Sequence, residues 1–136
     1  MKSFIATIAT IISIHTFAQE NGEWRTIEGR VMADGEPFPA QSIIVMGTTY
    51  GTMTDLDGYF ELQVPSNEIV FIDFVQCFTQ SIREINSETQ FILLKDNKKN
   101  RKLTNEAFEK WGEIKNELVP KVVDLYVGKG LMTKSR

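Results

Sequence analysis

Asp55-Leu56-Asp57-Gly58 is the stretch whose residue types and spacing come nearest to holding a cation. Two acids two positions apart, followed by glycine, imitate the opening of a calcium loop, in which alternating oxygens converge on the ion. The spacing stops at Tyr59, and the acid that closes such a loop is absent. Turn chemistry accounts for both aspartates, so no metal site is expected. The single histidine, His15, falls in a segment that reads as a removable leader. Without it the chain has no imidazole for base catalysis, a Ser-His-Asp or Cys-His mechanism, or a His-containing zinc site. Cys77 is the single cysteine and lies in the apolar run Phe74-Val75-Gln76-Cys77-Phe78. It is expected to be a buried small hydrophobe, the alternative being an intermolecular disulfide or a reactive thiol. There is no glycine-rich phosphate loop followed by Lys and Ser or Thr. Asp55 and Asp57, beside a turn, do not make the pair of acids across a cleft that glycoside chemistry uses. Tyr50, Tyr59 and Trp111 could form an aromatic platform for a sugar, or could be core and rim. These residues hold no catalytic set and imply no cofactor, and the expectation is a non-enzyme.

The elements that must position these residues read mainly as strands. Trp24 to Ala33 alternates, with Ile27, Gly29 and Val31 on one face and Glu28, Arg30 and Met32 on the other. Asp34-Gly35 punctuates it. Pro37 and Pro39 exclude helix and central strand, and Phe38 between them is expected to fold back as a plug. Ser42 to Met46 is a second strand ending at Gly47, and Tyr50 to Asp55 a short edge segment. Asp57-Gly58 is expected to form a two-residue type I′ turn, which needs φ > 0 at both positions. Behind it Phe60, Leu62 and Val64 share one face of the strand from Tyr59 to Val64. Glu68 to Phe78 is nearly continuous hydrophobic sequence and reads as a strand buried on both sides. Thr79 to Ile85 alternates weakly, with Ile82 and Glu84 opposed to Arg83 and Ile85. Thr89 to Lys95 closes the series. Several short strands separated by turn signals imply an all-β sandwich.

The two ends have a different character. Lys2, the apolar run Phe4 to Ile14 and Thr16-Phe17-Ala18 fit a signal peptide over residues 1–18, with residues 19–25 as a leader. Cleavage would take the net charge from −3 to −4, which argues against a duplex-binding face. No membrane span is expected after cleavage. Residues 96–103, with Lys98, Lys99, Arg101 and Lys102, read as a basic linker. Residues 104–127 read as a helical tail capped at Thr104 or Asn105, with Phe108, Trp111 and Leu118 inward and Pro120 interrupting, followed by a second helical stretch or a kinked continuation.

Gly29-x-Val31, Gly35-Glu36-Pro37-Phe38-Pro39-Ala40, Val45-Met46-Gly47-Thr48 and Gly51-Thr52-Met53-Thr54-Asp55-Leu56-Asp57-Gly58-Tyr59-Phe60-Glu61-Leu62 together resemble the carboxypeptidase regulatory-like domain over residues 26–95. Where members of that family carry a Val-Gly-Tyr-like element, this chain has Val75-Gln76-Cys77-Phe78. The resemblance implies a seven-stranded transthyretin-like Greek-key sandwich with the helical tail as an appendage. It makes Gly29, Gly35, Pro37, Gly47, Gly51, Thr54, Asp55, Asp57, Gly58 and Phe60 structural motif residues. The family occurs beside zinc carboxypeptidase domains and at the N-terminus of many TonB-dependent outer-membrane receptors. The function expected is a non-catalytic interaction module of the cell envelope, periplasmic, outer-membrane associated or secreted, with a protein partner. The alternative is a carbohydrate- or peptide-binding module.

Overall fold

A computed structural model describes residues 24–75 and 81–134 of the chain. The segment read as a signal peptide, the first residues of the leader and Cys77 lie outside the described residues. Among the described residues eight strands and one helix follow in order: β1 (Trp24–Ala33), β2 (Glu36–Pro37), β3 (Ser42–Val45), β4 (Gly51–Met53), β5 (Tyr59–Pro65), β6 (Val70–Val75), β7 (Ile82–Ile85), β8 (Phe91–Lys95) and α1 (Lys98–Lys129).

The strands form two sheets. In the first, β1 runs antiparallel to β5 and to the two-residue β2, and β8 lies parallel to β1 on its other side. In the second, the order β4-β3-β6-β7 is antiparallel throughout. Alternation decides which side chains meet between them. Ile27, Val31, Phe60, Leu62, Val64, Ile92 and Leu94 of the first sheet are buried, and Glu28, Glu61, Phe91 and Leu93 face out. Phe60 meets Phe74 of the second sheet edge to face at 5.9 Å. The first strand pairs with β5 from Trp24 onward, so the sandwich takes in the last two residues assigned to the leader.

The helix is a third layer rather than an appendage. It covers the outer face of the second sheet, where Phe71 meets Trp111 at 5.5 Å and Tyr50 stacks on Tyr126 at 5.0 Å. That sheet is therefore buried on both faces, which accounts for the unbroken hydrophobic run of β6 (Val70, Phe71, Ile72, Phe74). It also explains why Ile82 and Ile85 are both buried although alternation sets them on opposite faces.

Three features of α1 differ from the sequence reading. It starts at Lys98, inside the expected linker, because the Asn97 side chain accepts from the Asn100 amide at 2.8 Å and caps it. Thr104 is thus buried in the helix instead of capping it. The inward stripe is Asn100, Thr104, Ala107, Trp111, Ile114, Leu118, Val122 and Tyr126, at spacings of three and four, and Phe108 falls outside it and is 54% exposed. Pro120 does not interrupt the helix. A helix-interior proline costs about 3 kcal/mol. Fully burying each of Leu118 and Val122 returns about 1.5–3 kcal/mol, so packing outweighs the proline.

Candidate functional site

Asp55, Asp57, Gly58 and Phe60 of the motif lie at the turn that leads into β5, and Gly29, Gly47 and Gly51 stand at close approaches elsewhere in the sandwich. The type I′ turn is not at Asp57-Gly58. Only Gly58 has positive φ there (81°), and Asp57 does not. Asp55 builds this turn: its Oδ1 accepts from the amides of Asp57 (2.9 Å) and Tyr59 (3.0 Å), and its carbonyl accepts from the Gly58 amide. These two bonds are the turn chemistry by which an aspartate side chain holds its own backbone. The two-residue hairpin with φ > 0 at both positions is the other Asp-Gly pair, Asp34 (φ 53°) and Gly35 (φ 78°), between β1 and β2. Both pairs have the same composition. Ala33 and Glu36 pair directly across Asp34-Gly35, whereas a β-turn held by Asp55 precedes β5, and pairing context chooses the turn.

Thr54 is buried and ties two loops. Its hydroxyl donates to the Phe38 carbonyl at 2.7 Å and accepts from the Gln41 amide at 2.8 Å. Phe38 is thereby drawn in, half-buried against the core. Pro37 pairs with Met32 at the end of β1. Gly29 lies opposite Phe60, and a Cβ there would stand 2.3 Å from the Phe60 ring. At Gly47 a Cβ would come within 2.9 Å of Val119 in the helix, and at Gly51 within 2.2 Å of the Ile43 carbonyl. These glycines set close approaches between backbone and neighbouring side chains.

The aromatic platform does not assemble. Tyr59 is exposed on the outer face of the first sheet, where the Arg30 guanidinium lies 4.8 Å from its ring centre. Tyr50 and Trp111 belong to the contact between helix and second sheet on the opposite side of the molecule.

What the strands do bring together is a groove of about 450 Å³ on the open side of the sandwich. Its walls are β7 and β8, each an end strand of its sheet, and the first turns of α1. Arg83, Ile85, Phe91, Leu93, Lys95 and Lys99 supply the features that matter. In the parallel pairing of β1 with β8, Glu28 stands opposite Phe91 and its amide donates to the Gln90 carbonyl. Parallel geometry then gives the even residues of β8 to β1 and turns the N–H and C=O of Phe91, Leu93 and Lys95 toward the free edge. Phe91 and Leu93 are also 54% and 47% exposed as side chains.

The floor of this groove is a polar network that the sequence reading missed. Asn100 donates to Ser81 Oγ at 2.9 Å and accepts from Arg83 Nη2 at 2.5 Å, and Thr104 Oγ1 accepts from the Ile82 amide at 3.4 Å. Running the apolar stripe of the helix backward by threes and fours from Ala107 reaches Thr104 and Asn100, the one signal that could have revealed it. Burial lowers the Arg83 pKa below its ordinary value, and an arginine remains a cation at physiological pH. Arg25 fixes the turn before β8 by donating to the Asn86 and Thr89 carbonyls.

No protein-family model matches this chain. Three TonB-dependent receptors do. Receptor SusC of Bacteroides thetaiotaomicron is 38% identical over 76 residues, 54% of this chain and 7% of that protein. Receptors P3 and P26 of Formosa agariphila are 34% identical over 86 residues and 35% identical over 49 residues, covering 61% and 36% of this chain. The chain spans only 5–8% of the length of these relatives. The similarity is thus to a small part of each receptor.

Proposed function

We propose that the chain is a non-catalytic, protein-binding module of a TonB-dependent receptor system in the cell envelope, working after export at the periplasmic or outer-membrane side. Its sandwich corresponds on this reading to the carboxypeptidase regulatory-like, transthyretin-type domain that such receptors carry at their N-terminus. The partial identity to three receptors supports the assignment to that system. The observation that carries protein binding is the edge of β8 that no described strand covers. An exposed edge strand beside a groove is a template for another chain, and proteins normally cover or charge such an edge unless it is used. The other end of the same sheet is covered: the β5 backbone at Gln63 is bonded to the hydroxyls of Tyr50 and Tyr126.

The test is site-specific photocross-linking in intact cells. A photoreactive residue in place of Leu93 should capture an envelope protein, and the same residue in place of Glu117, on the exposed face of α1, should not. Capture from Glu117 alone, or from neither site, would remove the β8 edge as the binding surface. Hydrolysis of a peptide or ester by the purified protein would overturn the non-catalytic reading.

A further inference from the structure

Arg83 is half-buried beside the groove, and its guanidinium meets only neutral oxygens: Asn100 Oδ1 at 2.5 Å, the Ile82 carbonyl at 3.3 Å and Thr104 Oγ1 at 3.4 Å. The neighbouring acid, Glu84, is taken by Lys110 at 2.9 Å. Lys95 and Lys99, exposed on the same groove, form no ion pair among the described residues. Three cations without a counter-charge therefore border one hollow in a chain whose net charge is −3. A cation drawn part-way out of water without an anion is costly, and a carboxylate arriving there recovers that cost.

The backbone adds a second constraint. The N–H and C=O groups of Phe91, Leu93 and Lys95 that face the edge have no partner among the described residues, and among protein partners an extended chain lying alongside is the one that satisfies them together. A helix or a folded surface would leave them unpaired. Phe91 and Leu93 offer apolar side chains to such a strand on the outer face, and Ile85 and Leu103 line the groove beside it.

We propose that the groove receives an extended peptide segment bearing carboxylates, which adds to the edge of β8 as the next strand and sets its groove-facing acidic side chains against Arg83 and Lys99. The proposal rests on the protein-binding reading above and names the chemistry of the partner. Five residues of β8, at about 3.3 Å each, engage about five or six residues of the partner. An antiparallel approach gives the better-aligned hydrogen bonds.

Fluorescently labelled peptides about nine residues long, alternating Val with Glu or Val with Lys, test this by anisotropy with the full exported chain. A third probe is the Val–Glu peptide N-methylated on alternate residues, which keeps the charge and removes strand pairing. The Val–Glu peptide is expected to bind about tenfold or more tightly than the Val–Lys peptide, and N-methylation should abolish binding. Lys99→Glu should weaken it by about tenfold. Leu93→Pro should do the same, since the amide it deletes faces the free edge and not β1. Circular dichroism of both variants should match the parent, and Arg83→Gln, which also disturbs the network with Asn100, is read only beside them.

Equal binding of the Val–Glu and Val–Lys peptides, or undiminished binding of the N-methylated peptide, overturns the inference. So does a dimer of this chain joined through β8 that excludes the peptide. Photocross-linking from Leu93 to an envelope protein that the Val–Glu peptide does not displace would sink the acidic-strand inference and leave the protein-binding reading standing. Absence of any capture at Leu93 would sink that reading itself.

Discussion

Tyr126, near the end of the helix, donates its phenolic hydrogen to the carbonyl of Gln63 in β5 at 2.7 Å. The amide of the same Gln63 donates to the Tyr50 hydroxyl at 3.1 Å, and the two tyrosine rings stack. Both outward groups of one edge residue are thus closed by side chains. Trp24 completes the cluster, edge-on to Tyr126 at 4.9 Å. Replacing Tyr126 by Phe keeps the ring and strands the Gln63 carbonyl. We expect a loss of about 1–3 kcal/mol, read as a lower urea midpoint with an unchanged denaturant slope.

The same hydroxyl gives a pH dependence of known sign. Burial, reinforced by Tyr50, raises the Tyr126 pKa well above its ordinary 10.0. The unfolded chain therefore releases this proton before the folded one does. The stabilisation is fully present below pH 10 and is lost as pH rises from there through the folded value. The stability difference between the parent and Tyr126→Phe should accordingly shrink above about pH 10. A difference that stays constant across that range would show that the hydroxyl titrates as it does in the unfolded chain.

Two glycines should respond oppositely to alanine. Gly58 has φ 81°, and a Cβ there would lie 2.6 Å from the Val31 carbonyl, a backbone atom held in place by the Phe38 amide that donates to it. Gly58→Ala should cost more than about 1–2 kcal/mol. Gly112 is in the exposed middle of α1, and an added Cβ would meet nothing within 4 Å outside its own stretch of helix, so Gly112→Ala should gain about 1 kcal/mol from helix propensity alone. Thermal denaturation of the two variants side by side is sufficient.

Pro120 is exposed inside α1 and removes the amide that would bond to the carbonyl of Asn116. Pro120→Ala restores the bond and should stabilise the protein by about 1–3 kcal/mol. If melting is unchanged or lowered, the helix bends at this point to fit the sheet, and the proline is part of the docking.

The sandwich was legible because its signals are local. Alternation in β1 and β5 named the inward residues, and the apolar run of β6 announced a strand covered on both sides. The type of the Asp57-Gly58 turn was not legible, because Asp34-Gly35 has the same composition and only the pairing partner distinguishes them. The start of the helix was hidden because Asn100 and Thr104 are polar residues on its buried face, amid lysines that read as linker. The groove was illegible for a deeper reason. It exists because β8 pairs in parallel with β1, more than sixty residues earlier, and leaves one edge free; no local pattern encodes which edge of a strand is used.

Asp73 offers a last test of how the second sheet is built. It sits in β6, paired across to Ile44 on one side and Ile82 on the other, and its carboxylate has no hydrogen-bond partner among the described residues. Partial burial raises its pKa above 3.8. With the folded value raised, the protonated form is the one favoured by folding. That contribution is complete below pH 3.8 and is lost as pH rises through the folded value, so at neutral pH the charge is a net burden. Asp73→Asn should therefore raise the melting temperature at pH 7, and the advantage should fade as the pH is lowered toward 3.8. A variant that is less stable at pH 7 would mean that the carboxylate has an anion-specific partner in the folded protein.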